Sequence, residues 1–205
     1  MAQANDSILV TPGSGATVAT HLVNGKEYQV VMLAGPAGHL YDTLPTYYFW
    51  TPYAAGAQNQ RLMDLFNAVG SGVVVRVKKA FIQCSGAAIT GVNHQFDFIS
   101  TSAVGTSGTP LTGRKADSTN SDLPAGVTAR RSATGGATEA FVFFSANVDP
   151  EETRPGAAIM GMINWIPEGP NLQEIVLREG QGLLVKQITN NTAASWGCLL
   201  AITVE

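Results

Sequence analysis

The feature that most constrains this chain is its closing stretch, residues 177–205, LREGQGLLVKQITNNTAASWGCLLAITVE. Glu179-Gly180-Gln181-Gly182 reads as a turn, because its glycines reach positive φ at little steric cost. Residues 183–189 (LLVKQIT) have the Leu, Val, Ile and Thr content of a strand. Residues 190–197 are small and polar and read as a loop. Residues 198–204 (CLLAITV) close the chain as a strand, with Leu200, Ile202 and Val204 on one face and Leu199, Ala201 and Thr203 on the other. A strand that is apolar on both faces belongs inside a sheet. The end of the chain is therefore core, and the expectation is an antiparallel sandwich closed by these two strands.

The 205 residues are 45% apolar, enough for one large β domain. Only 13% are charged, against roughly 25% in an average soluble domain. The surface must be built from Ser, Thr, Asn, Gln, Gly and Ala, which lowers repulsion between copies and suits a chain that lives against neighbours. The net charge of −3 and the lack of a Lys/Arg block argue against a nucleic-acid partner. Nowhere does an apolar run approach the roughly 20 residues of a membrane span. The start, MAQANDSILVTPGSG, has neither the basic nor the apolar region of a secretory signal, so synthesis in a cytosol is expected. Cys84 and Cys198 match no zinc spacing and are expected as buried free thiols.

Along the chain, residues 1–14 read as a polar arm. Residues 17–23 and 27–33 read as a hairpin, because Asn24-Gly25 suits a two-residue type I′ turn. Residues 46–53 (TYYFWTPY) hold the densest aromatic run. Its side chains Tyr47, Tyr48, Phe49, Trp50 and Tyr53 either seal the core or anchor a subunit interface, where such residues are enriched. In residues 57–69, Leu62, Leu65, Phe66 and Val69 fall at i, i+3, i+4 and i+7, which predicts a short amphipathic helix with a core-facing stripe. Gly70 sits where a helix C-cap glycine belongs.

From Gly72 onward the pattern is β. Residues 73–83 place Val73, Val75, Val77 and Phe81 against Val74, Arg76, Lys78 and Ile82. Residues 92–100 place Phe96 and Phe98 on the core face. Further strands are expected at 111–115, 139–147, 157–166 and 172–177, before the terminal pair. Eight evenly spaced strands after one helix predict an all-β fold, an antiparallel jelly-roll sandwich. An N-terminal arm, hairpin and helix (1–70) would pack on a sandwich formed by 71–205. The Cys…Trp…Cys pattern of an immunoglobulin domain does not appear. In a jelly roll the first and last strands are antiparallel neighbours, so Cys84 and Cys198 should lie close together without forming a disulfide.

The sequence offers little chemistry. His21, His39 and His94 are scattered and lack metal-ligand spacing. Gly70-Ser71-Gly72 lacks the strand-to-helix context of a nucleophile elbow. GTPLTGRK (108–115) has Arg114 and Lys115 where a phosphate-binding loop needs Lys and Ser/Thr. Asp149, Glu151 and Glu152 read as a solvated turn beside Arg154 rather than as a calcium site. No cofactor, metal or catalytic role is expected for any residue.

Two stretches carry a resemblance. RLMDLFNAVGSGVVVRVKKAFIQ (61–83), with its F-N-x-x-G-S-G ahead of a basic-apolar strand, resembles a segment of virion proteins of tailed bacteriophages. The closing LREGQGLLV and the final strand ending in TVE look like the end of the same proteins. The resemblance implies a non-enzymatic structural protein, a head decoration (cement) protein of jelly-roll type. It would be made in the host cytoplasm, assembled into the virion as a homotrimer, and seated on the major capsid protein. A tail, collar or fibre-base role is the first alternative. The second is a carbohydrate-binding jelly roll using the aromatics of 46–53, Trp165 or Trp196.

Overall fold

The computed structural model describes residues 44–85, 93–148, 162–167, 173–189 and 194–205, and the backbone of 19–23 and 26–30. The expected arm, the acidic turn at 149–154 and the turn at 24–25 lie outside the described residues. The chain divides into two compact units, Met1–Thr43 and Leu44–Glu205. In the first, β1 (Ala19–Val23) pairs antiparallel with β2 (Lys26–Val30), Val23 opposite Lys26, as the Asn24-Gly25 spacing implies.

The second unit is all-β among its described residues, with two antiparallel sheets. In chain order its strands are β3 (Thr46–Trp50), β4 (Ala54–Ala55), β5 (Arg61–Asn67), β6 (Val75–Ser85), β7 (His94–Thr101), β8 (Thr109–Leu111), β9 (Arg114–Lys115) and β10 (Val127–Arg131). There follow β11 (Glu139–Val148), β12 (Met162–Trp165), β13 (Ile175–Leu177), β14 (Gln181–Gln187) and β15 (Ser195–Val204). The six-stranded sheet runs β11-β7-β14-β5-β10-β8. The other has seven strands, β12-β6-β15-β3-β9, with β13 also on β6 and β4 also on β15. Five pairs of strands cross between the sheets in the same lateral order: β12/β11, β6/β7, β15/β14, β3/β5 and β9/β10. The core lies between the sheets, and Phe49, Ile82, Phe96, Phe98, Leu183, Val185, Trp196, Leu200 and Ile202 are all at 0% exposure within it.

The helix expected over 57–69 is a strand. β5 runs between β14 and β10, so both its edges are paired, and Leu62 through Asn67 are all buried, on both faces of the strand. Leu62, Leu65 and Phe66 are in the interior, whereas Val69 stands in the following turn and is 81% exposed. Truncating the fully buried Leu65 to Ala is worth about 2–5 kcal/mol. Gly70 does take positive φ, +81°, but in a turn after a strand rather than at a helix end. Two segments placed by sequence ahead of the sandwich, the aromatic run and the expected helix, are β3 and β5 of its two sheets, and the sheets hold six and seven strands rather than a total near eight.

The terminal strand pairs along β6 from Ser195↔Ser85 to Val204↔Val75. Trp196 lies opposite Cys84 and Cys198 opposite Ile82, so the two cysteines are diagonal neighbours, and both are buried free thiols. The ladder slips between Ala201↔Lys79 and Ile202↔Val77, which leaves Lys78 as an extra residue in β6. That bulge reverses the alternation. Val75 and Val77 point inward as expected, but beyond the bulge Ala80, Ile82 and Cys84 point inward and Phe81 turns out.

Candidate interaction surface

The stretches 61–83 and 177–205 meet in space. Asn67 is fully buried, and its Nδ2 donates to Val73 O at 2.9 Å and to Leu177 O at 3.1 Å, across a separation of 110 residues. Gly180 N donates to Asn67 O. The amides of Gly70 and Gly72 donate to the two oxygens of Glu179 at 3.0 and 2.7 Å, and these bonds hold its carboxyl below the usual range. Gly182 is hemmed by Thr101, Leu65 O and the Phe66 ring, so any side chain there would collide. These motifs form a structural joint between β5, β6 and β14.

The aromatic run splits by face. Along β3, Tyr47 and Phe49 point into the core at 1% and 0% exposure, which corrects their placement in an interface. Tyr47 OH donates to Ser121 O. Tyr48, Trp50 and, beyond the strand, Tyr53 stand on the outer face of the seven-stranded sheet, each near 40% exposed. Just after β3, Thr51 stays tied to β15: its N–H donates to Cys198 O at 2.8 Å, and its Oγ1 accepts from Cys198 N at 2.8 Å.

The register extends this outer face across the sheet. Trp50 lies opposite Leu199, Leu199 opposite Phe81, and Phe81 opposite Asn164. In the next row Gly197 lies opposite Gln83, and Gln83 opposite Met162, which is 53% exposed. The Trp50 indole covers Gly197, where an added Cβ would sit 3.1–3.2 Å from its ring. Trp50 and Tyr53 meet edge to face at 5.6 Å, and Tyr53 OH donates to Gln83 Oε1 at 2.8 Å. Half-buried Phe81 and Leu199 fill the middle of the face. Lys79 lies over the Phe81 ring at 5.6 Å.

One end of the face is charged. Arg76 grips Glu205 with two hydrogen bonds of 2.7 and 3.0 Å, which lowers the Glu205 pKa, and Lys78 pairs with Glu174. The result is an apolar, aromatic centre with polar groups at its margin, the anatomy of a protein–protein interface. The sequence reading did not place Phe81, Leu199 and Met162 on this face. The signal for Leu199 was present, since both faces of the last strand are apolar.

Trp196 is fully buried, packed against His94 and Phe96 at 4.8 Å, and cannot serve as a sugar platform. Trp165 stacks on Phe144 at 5.4 Å. The described residues contain no group of three His, Cys, Asp or Glu placed to hold a metal ion. No protein-family model, curated protein or solved structure matches the chain.

Proposed function

We propose that the chain is a structural protein of a virion that docks through the aromatic outer face of its seven-stranded sheet. The particular assignment is a decoration protein of a tailed-bacteriophage head, homotrimeric and bound to the major capsid protein. The observation that carries the docking role is the continuity of Tyr48, Trp50, Tyr53, Leu199, Phe81 and Met162 across four strands of one face. A lone monomer gains nothing from holding a Trp and two Tyr near 40% exposure on one face, and large exposed apolar patches mark contact sites. The low charge content and the resemblance of 61–83 and 177–205 favour a virion lattice as the partner. The jelly-roll reading rests on the way consecutive strands cross between the sheets in matched order. A tail or collar position would use the same face.

The test is add-back. Heads stripped of the protein are mixed with purified wild type or with a Tyr48→Ser, Trp50→Ala double variant, and pelleted. Wild type should bind and the variant should lose at least tenfold in affinity, the effect of removing a central aromatic anchor. Equal binding by both would overturn the assignment of this face.

A further inference from the structure

We propose that the opposite face of the sandwich, the outer side of the six-stranded sheet, binds a neutral oligosaccharide. The site is a pair of clefts that share Lys186. The first, about 420 Å³, is lined by polar groups that include Asn59, Gln60, Ser132 and Thr134. The second, about 270 Å³, has Phe141 and Val142 for walls, with Asp97 and Glu139 at its polar side. Between them Lys186 Nζ donates to both Glu139 oxygens at 3.0 and 3.1 Å, and Arg61 approaches the same carboxylate at 3.5 Å.

Three properties identify the ligand class. Charge is balanced: Arg61 and Lys186 face Asp97 and Glu139, so a charged ligand would meet a like charge as well as an opposite one. The polar groups are held in place before binding, Glu139 by its two cations and Asp97 Oδ1 by Gln95 Nε2 at 3.0 Å and Ser145 Oγ at 2.6 Å. Preorganised carboxylates and cations suit hydroxyl groups, which donate to one and accept from the other. The apolar element is an aromatic ring: Phe141 is 57% exposed and braced edge to face by Phe143 at 4.8 Å. An exposed, braced ring beside fixed hydrogen-bonding groups presents a stacking surface for the C–H face of a sugar. Two clefts that adjoin at Lys186 fit more than one sugar unit.

The test is an array of immobilised glycans, with neutral hexose and N-acetylhexosamine oligomers beside uronic-acid oligomers, probed with wild type, Phe141→Ala and Trp50→Ala. Wild type and Trp50→Ala should be retained by neutral glycans. Phe141→Ala should bind at least tenfold more weakly, the scale of one aromatic contact, and should melt with the wild type because its ring is exposed. If that variant melts early, protection of Phe141 from hydroxyl-radical labelling by the bound neutral oligomer gives the same reading on the wild type. The proposal is overturned if no neutral glycan is retained, if only uronic-acid oligomers are, or if Phe141→Ala binds normally. Concentration-dependent sedimentation lost in Phe141→Ala would also overturn it, assigning the ring to contact between copies.

Discussion

Raising the pH through the weakly acidic range should weaken this fold, and one residue should account for the effect. Asp64 lies on β5 at 2% exposure, beneath the chain at Gly105. It faces apolar Leu184 on β14 and Arg130 on β10, with Arg61 on its own strand. The Gly105 N–H approaches the carboxylate, yet neither oxygen gains a hydrogen bond of full geometry. Burial outweighs the attraction of Arg61 and Arg130 and raises the pKa from 3.8 to about 6.

The sign follows from proton binding. Between 3.8 and about 6 the folded chain holds a proton that the unfolded chain has released. Stability therefore falls as pH rises through that window and stays low above it. The difference corresponds to about 3 kcal/mol. Asp117, Asp122, Glu179 and Glu205 have lowered pKa values, so their contribution disappears only as pH falls below the ordinary carboxylate range, with the opposite slope. Asp64→Asn keeps the shape and removes the titration. Urea unfolding of both proteins at intervals from about pH 4.5 to 7.5 should show wild type losing stability relative to the variant as pH rises. Parallel curves for the two proteins would refute the reasoning.

Three further outcomes are expected. Asn67→Ala should cost about 2–4 kcal/mol in urea unfolding, because it strips the donor from two carbonyls at the joint of β5, β6 and β14. Deleting residues 199–205 should abolish soluble expression, since it opens the middle of the seven-stranded sheet and unpairs β6 and β3 together. Cys198, fully buried with its thiol pKa pushed up by desolvation, should resist an aromatic disulfide reagent until the chain is unfolded. Cys84, also buried, should react slowly.

The all-β class was legible because alternation and a doubly apolar last strand are local signals, whereas the pairing of β6 with β15 followed from the strand order expected for a jelly roll. The helix expected at 57–69 failed for a physical reason. A central strand buried on both faces carries no alternation, so Leu62, Leu65 and Phe66 matched a helical stripe as well as a strand. Asp64 within that run, and the chain over it at Gly105, had no sequence signature. The outward turn of Phe81 depends on the bulge at Lys78, which two adjacent lysines do not announce. That bulge also hid half of the docking face, because it placed Phe81 beside Leu199 and Trp50. Strand parity separated Tyr48 and Trp50 from Tyr47 and Phe49, but the sequence did not say which pair faced the core.

The docking claim is tested most directly by hydroxyl-radical footprinting of Tyr48, Trp50, Tyr53 and Met162 on intact particles and on the isolated protein. Each is 39–53% exposed in the isolated chain and should label readily there. On assembled particles the account predicts strong protection of all four, while Phe141 on the opposite sheet continues to label. Equal labelling of Trp50 and Tyr48 in both samples would contradict it.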